Sequence, residues 1–504
     1  MKKVICPYCC KEFMPNQVDF RLMKPVVKTA SKAAEAGKSE KAGYEGYKNA
    51  LDKKEAAAGN SGLVKDVQLA NYYVEYLQYN EADAAANAMR LPAVSIDYTD
   101  NTKVWFDQAE FQKYGYVTKV KYQEQELDER LCPFCHNRVV FHAGEHEMKL
   151  ISVIGDTNVG KSIYITMLEK MLQEDLNFKG TMKFMGTEEE KNLYFGKIDE
   201  LLDKKEMHEA TERKKIPPMP FLYKYKTSDG KEHSYLIVFC DIAGEDCRDR
   251  DSLKRNGYHL KASSGLLFLI DPTRFAKVKN AIDGENEIPQ LYQQEIFTAI
   301  DQYLIADTHE SKAKIPAAIV LTKSDMLKEI GVVRGSEKYQ NVLEDPKGNE
   351  KHPGFFDKKV AADLNDIVSG LMQDLGAATL CNVVEGSFET YNYFVVSSLG
   401  KSPETVEIEE YGVERTVKRI EGHLAPYRVT EPFYWLLSQS GCIPFKYREV
   451  LRNKKGETRV IETYYYEDEL DGTFQNRLEE LRKSKCANFL GSMRGWQTVE
   501  RGII

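Results

Sequence analysis

Residues 148–172 read MKLISVIGDTNVGKSIYITMLEKML, and this stretch decides the fold. An apolar run, LISVI, meets Gly155-Asp156-Thr157-Asn158-Val159-Gly160-Lys161-Ser162, which fits G-x-x-x-x-G-K-[ST], and a helical pattern follows at once. Strand, glycine loop and helix in that order make a cradle for phosphate. Gly155 and Gly160 let the backbone close around an anion, with successive N–H groups pointing inward at a helix N-terminus. Lys161 adds a point charge for the β- and γ-phosphates, and Ser162 offers a hydroxyl to Mg2+.

Downstream, YLIVFCDIAG, GLLFLIDP, AAIVLTKSD and YFVVSS are continuous apolar runs separated by helical stretches. Runs that are apolar on both faces predict parallel strands of a sheet covered on both sides. FLYKYKTSDGKEHSYLIVF turns around Asp229-Gly230 and reads as a hairpin, which adds one antiparallel strand at the edge. The predicted class is α/β, with five parallel strands and one antiparallel hairpin strand.

The ends of these runs carry chemistry. Asp241-Ile242-Ala243-Gly244 has D-x-x-G spacing, placing a carboxylate for the Mg2+ water shell and the Gly244 N–H for a γ-phosphate. In Thr322-Lys323-Ser324-Asp325 the Asp325 carboxylate can accept two N–H bonds from guanine, a pairing adenine cannot offer. Lys323 can lie along the base by its aliphatic stem. After YFVVSS, a backbone N–H of Ser397-Ser398-Leu399 can reach the guanine O6.

With GDTNVGKS, DIAG, TKSD and SSL in order over residues 148–400, the sequence resembles the TRAFAC, or Ras-like, class of P-loop GTPases. With the knuckles CPYC at 6–9 and CPFC at 132–135 and the helical stretch TEPFYWLL at 430–437, it is more loosely similar to bacterial GTPases of the double-GTPase type. The resemblance implies binding of GTP and GDP with Mg2+, GTP hydrolysis, and a switch acting on a protein partner or a second copy of the chain. Three features depart from the class pattern. Thr322 stands where Asn is usual, and Glu245 follows D-x-x-G where a water-positioning Gln is usual. A carboxylate there cannot donate to the γ-phosphate and adds charge beside a developing anion, so slow turnover or a GTP-binding scaffold is the alternative. The segment from Ser162 to Asp241 is also long, with TMKFMG and EEEKNLYFGKIDELLDKKE inserted. The first-switch threonine that reaches Mg2+ and the γ-phosphate is assigned to Thr211 in HEATERKKIPPMP, equally readable as a cap or loop residue; Arg213 beside it reads as a solvated arginine. Lys161, Thr211 and Glu245 are thus the candidate catalytic residues.

Two further motifs precede the phosphate loop. Cys6-Pro7-Tyr8-Cys9 and Cys132-Pro133-Phe134-Cys135 are matching C-P-aromatic-C knuckles, each followed by strand-like sequence. Paired C-x-x-C thiolates predict a four-cysteine structural Zn2+ site in a zinc ribbon, split by 122 residues between Cys9 and Cys132. A redox dithiol fits less well, because neither pair opens a helix after a strand. Cys10 and His136 read as bystanders to the ligands, and His142 and His146 as surface histidines.

The expected organisation is a split zinc ribbon over 1–22 and 120–147, an inserted helical and strand region over 23–119, the nucleotide-binding domain over 148–402, and an α+β extension over 403–504. Within the insert, an Ala/Lys/Glu-rich stretch reads as a solvated helix or spacer and a Tyr-rich segment near Tyr72 to Tyr79 as an amphipathic helix, while residues 101–147 read as strand-rich and contain the second C-x-x-C. The extension predicts a helix over 430–439, an exposed hairpin over 443–466 turning at Lys455-Gly456, and a charged helix over 473–487. At 504 residues, 42% hydrophobic, the chain has material for two or three cores. A net charge of −8 and a pI near 5.8 give no general attraction to phosphate backbones, so nucleic acid is disfavoured and zinc-ribbon recognition of it is the last alternative. No run reaches the ~20 apolar residues of a membrane span. Ten cysteines without a disulfide pattern point to a reducing, cytoplasmic location.

Overall fold

The computed structural model describes residues 2–25, 62–96, 104–156, 159–174, 181–192, 206–207, 217–226, 232–247, 252–254, 257–283, 292–306, 308–344, 358–410, 413–420, 422–465, 473–486 and 496–503. The Ala/Lys/Glu-rich stretch, residues 193–205, the Asp229-Gly230 turn, Thr157, Asn158, Thr211 and Arg213 lie outside the described residues. The chain divides into two compact units, 1–148 and 149–504.

In the larger unit a seven-stranded sheet follows from the apolar runs. Its strands are β1 (Glu147–Gly155), β2 (Thr181–Phe184), β3 (Met219–Lys226), β4 (Glu232–Ala243), β5 (Gly265–Ile270), β6 (Ala317–Leu321) and β7 (Tyr391–Val395), in the order β2-β3-β4-β1-β5-β6-β7. β1, β5, β6 and β7 pair in parallel, while β3 runs antiparallel to both β4 and β2. The hairpin expectation holds, and one strand more is present: TMKF pairs with Leu222–Lys224 and Phe221 as an outer edge rather than standing apart as an insert. β5 and β6 are buried along their whole length, as runs apolar on both faces require.

Helices cover both faces. α1 (Lys161–Glu174) follows the phosphate loop, α2 (Tyr292–Ile305) puts Phe297 against Phe268 of β5 at 4.3 Å between ring centroids, and α3 (Lys358–Met372) lies on β7. A further helix, α4 (Ala378–Ser387), packs on α2. The run from 360 to 387 is long and apolar enough to cross a membrane by composition alone. It is instead α3 and α4 joined through Gly376 at φ 94, with Leu364, Val368, Leu371, Leu380 and Val384 buried in the core. The helix expected over 430–439 is α5 (Glu431–Gln439), whose Phe433 and Trp435 meet Phe239 and Phe394.

The C-terminal region departs from the expected exposed hairpin. β8 (Glu404–Glu410) and β9 (Val413–Arg419) form a first hairpin, extended by the short strand Glu206–Met207. β10 (Phe445–Asn453) and β11 (Thr458–Tyr465) form the second, turning as predicted beside Gly456, but β12 (Trp496–Ile503) pairs on the other side of β10 and makes it a central strand. α6 (Thr473–Cys486) closes this layer. Fully buried Glu449 accepts from Arg482 at 2.7 and 3.0 Å and from Thr498 Oγ1 at 2.5 Å, which supplies the pairing a buried carboxylate needs.

His259 sits buried in the turn before β5, and burial pushes its imidazole down to about 4. The unfolded chain holds a proton there below about 6.5 that the folded chain refuses until near 4. Stability is therefore complete above 6.5 and falls by up to about 3 kcal/mol as pH drops toward 4. Thermal melts of wild type and His259→Leu across this range should show a steeper acid-side loss in wild type; equal slopes would refute it.

In the smaller unit, strand Val4–Ile5 pairs with Glu12–Phe13, and Asp19–Arg21 lies between Ala93–Ser95 and Arg130–Leu131. That central strand joins the two halves of the split segment. The Tyr-rich stretch forms the helix Val67–Glu75, capped by Asp66 and burying Leu69, Ala70 and Tyr72. The strand-rich reading of 101–147 is corrected in one place: Gln108–Tyr114 is helical.

Candidate functional site

At the end of β1 the chain turns at Gly155, where an added Cβ would meet the Leu269 carbonyl at 2.9 Å, and re-enters a helix after Gly160 at φ 92. Glycine is required at both positions, by space at one and by conformation at the other. Val159 is buried and its N–H reaches the Asp156 carbonyl at 3.4 Å. Lys161 Nζ donates to the Gly155 carbonyl at 2.6 Å and lies 3.6 Å from Asp241 Oδ1. Among the described residues, no hydrogen-bond partner reaches that buried oxygen. Burial pushes the Asp241 carboxyl up, and the Lys161 ammonium opposes the shift. Ser162 is exposed at the start of α1. An orphaned carboxylate oxygen facing a lysine and an open hydroxyl are donors that fit a hydrated Mg2+. Gly244 and Glu245 occupy the short 3-10 turn Gly244–Cys247 directly after β4.

Across the sheet, Thr322 donates both N–H and Oγ1 to the Ile270 carbonyl, at 2.9 and 3.1 Å, tying the start of the TKSD loop to the end of β5. Lys323 takes φ 50, an uncommon conformation for a side-chain-bearing residue, concentrated where function over-determines the backbone. Asp325 accepts from Ser397 Oγ at 2.6 Å and from Ser402 Oγ at 2.9 Å. Ser397 also accepts the Gly400 N–H at 2.9 Å, and its backbone pairs with Tyr427. The Leu399 carbonyl accepts the Ala425 N–H at 3.1 Å, and Ser398 lies between them, partly exposed. The two serine hydroxyls thus hold the Asp325 carboxylate in a fixed orientation.

Sequence reasoning missed the element that joins the two loops. Asp271-Pro272-Thr273-Arg274 follows β5 as a capped 3-10 turn, with Asp271 Oδ1 accepting from Thr273 N. Asp271 Oδ2 accepts from Lys323 Nζ at 2.6 Å, while Arg274 donates to Asp156 of the phosphate loop. Four residues therefore tie the Gly155–Ser162 loop to the TKSD loop. The Asp-Pro after an apolar run signals a capped turn, but which loops it faces requires the strand order. Removing one member of a partly buried pair costs more than removing both. Arg274→Ala should speed release of a fluorescent GDP analogue about fivefold, roughly 1 kcal/mol after allowance for the exposed guanidinium, and Asp156→Ala added to it should restore part of the loss. A double variant worse than the single one would refute the pairing.

The cysteines converge as their spacing requires. Cys6 Sγ lies 3.6 Å from Cys135 Sγ and Cys9 Sγ 3.8 Å from Cys132 Sγ, all four buried and within 4.8 Å of one another. A tetrahedral ion with Zn–S bonds of about 2.3 Å has S–S edges of about 3.8 Å, so the donor set fits Zn2+. The knuckles are alike in detail. Cys10 and His136 both take positive φ, 56 and 50, and donate their N–H to the carbonyls of Cys6 and Cys132. His136 is not positioned as a ligand: its Nδ1 meets Asp66 at 2.9 Å and its Nε2 meets Asp19 at 2.9 Å. Although burial alone would lower it, bonds to Asp19 and Asp66 hold His136 up at about 9. Arg21 pairs with the same Asp66 at 2.7 Å.

Residues 149–357 match the family model described as Double-GTPase 2, which bears out the sequence resemblance to GTPases of the bacterial double-GTPase type. The chain is 23% identical over 348 residues to SaeC of Mycolicibacterium smegmatis, a protein named for ESX-1 scaffolding and assembly; the alignment covers 62% of this chain and 80% of that one. A solved structure of sup35 complexed with GDP aligns with 51% of this chain and 38% of its own at 10% identity and a TM-score of 0.21, a likeness too low to carry argument.

Proposed function

We propose that this chain binds GTP and GDP at the sheet end formed by the Gly155–Ser162 loop, Gly244, Thr322-Lys323-Ser324-Asp325 and Ser397-Ser398-Leu399, and hydrolyses GTP as a switch on a protein partner. The observation that carries the reading is the held carboxylate of Asp325, a guanine acceptor oriented by Ser397 and Ser402 and linked through Lys323, Asp271 and Arg274 to Asp156 of the phosphate loop. The Double-GTPase 2 match supports guanine as the base. In this reading Ser162, Asp241 and Thr211 hold Mg2+, which when bound neutralises charge on the β- and γ-phosphates. Lys161 leaves the Gly155 carbonyl to meet the phosphates, and Gly244 offers its N–H to the γ-phosphate. Cys6, Cys9, Cys132 and Cys135 hold a structural Zn2+, in a chain working in the cytoplasm.

Calorimetry with GDP, GTP and ATP tests the binding claim, and ATP bound as tightly as GTP would end it. Turnover is separate. Glu245 cannot act as the usual Gln does, and the relative named for scaffolding favours a second reading, in which GTP is bound stably to hold an assembly and hydrolysed slowly. Single-turnover phosphate release for wild type and Glu245→Gln distinguishes the two. Slow release that speeds with Gln selects the scaffold, whereas fast wild-type release selects the switch.

A further inference from the structure

The loop after the second cysteine knuckle gathers three more ligating side chains. His142 takes φ 66 and Gly144 φ 104, and the N–H groups of Glu145 and His146 turn back on the His142 carbonyl at 3.1 and 3.5 Å. One turn therefore projects His142, Glu145 and His146 together. His142 Nδ1 lies 2.8 Å and His146 Nε2 3.7 Å from the same oxygen, Glu145 Oε2, and one donor atom from each residue lies within 4.8 Å of the others.

The surroundings hold this arrangement rigid. Buried Arg130 donates to the carbonyls of Ala143 and Pro15, at 3.0 Å each, with its guanidinium 4.5 Å from the ring centroid of Tyr116. Gly144 packs so closely that an added Cβ would meet Pro15 Cγ at 2.6 Å. Tyr116, 2% exposed, donates its hydroxyl to Glu145 Oε1 at 2.6 Å. That bond takes up one carboxylate oxygen and turns the other toward both imidazoles. An outer hydroxyl that orients a ligating carboxylate is the usual support of a metal site.

We propose that His142, Glu145 and His146 form a second metal site, distinct in its residues from the four-cysteine cluster. Two imidazoles and a carboxylate select a first-row transition ion such as Zn2+, Co2+ or Ni2+ over Ca2+ or Mg2+. With three protein ligands, all partly exposed, a coordination position stays open to water or an exogenous ligand.

Full-length apoprotein titrated with Co2+, followed by absorption and by metal analysis, tests this. Wild type should take up two equivalents, one with intense thiolate-to-metal charge transfer and one with weak bands of nitrogen and oxygen ligation. His146→Gln should remove the second equivalent and leave the thiolate band, which also reports that the unit is folded. Tyr116→Phe should weaken the second equivalent about tenfold. A single thiolate-bound equivalent in wild type overturns the proposal, as does a second equivalent unchanged in His146→Gln. Should His146→Gln lose the thiolate band too, the wild-type stoichiometry and Tyr116→Phe decide the matter.

Discussion

Asp325→Asn is expected to weaken GDP binding by about 10²–10³-fold and to create affinity for xanthosine diphosphate. A carboxylate accepts two N–H bonds from guanine, and each bond to a charged group contributes roughly 1.5–3 kcal/mol. The amide keeps one acceptor and turns a donor toward the other N–H, so about 3–4 kcal/mol is lost. Xanthine carries an oxygen where guanine carries its amino group, and the new donor suits it. Because Asp325 is held at 2.6 Å by Ser397 and 2.9 Å by Ser402, the effect belongs to a fixed carboxylate. Ser397→Ala should weaken GDP about tenfold, the worth of one orienting bond of roughly 1.4 kcal/mol. Calorimetry with GDP, XDP and ADP reads all three, and an Asn variant with wild-type GDP affinity would remove Asp325 from the base site.

How much of this was legible in sequence depends on the range over which each signal acts. The phosphate loop, the β3–β4 hairpin and α5 are local patterns, and each appears where the periodicity places it. The matching knuckles at Cys6 and Cys132 were equally readable, because one C-x-x-C turn fixes its own geometry. What escaped was partnership at long range. β12 has no apolar signature of its own, yet it turns an expected exposed hairpin into a layer with Glu449 at its centre. Asp271 and Arg274 look like ordinary turn residues until β5 is seated between β1 and β6, which brings the turn between both loops. The His142 loop shows the same limit. Its two histidines read as surface residues until Tyr116, 29 positions from Glu145, is seen to orient the carboxylate between them.

Loss of the four-cysteine site should unfold the smaller unit while leaving nucleotide binding in place. Among the described residues, the strands of that unit are two or three residues long, and the two knuckles stand 122 residues apart, so few ladder bonds join them. Structural Zn2+ contributes about 10–16 kcal/mol to small metallo-domains, comparable with the entire stability of an ordinary domain. The strand Asp19–Arg21 and the buried Arg21–Asp66–His136 network pack against the knuckles, and their geometry depends on both knuckles being held. Cys9→Ser together with Cys132→Ser should therefore abolish hydrogen-exchange protection across residues 2–25 and 104–148. The seven-stranded sheet draws its core from residues of the larger unit, from Ile151 of β1 onward, so GDP affinity in the same variant should stay within about twofold of wild type. Protection retained in the double serine variant would show that the unit stands without metal. Loss of GDP binding along with that protection would show that the larger unit depends on the smaller.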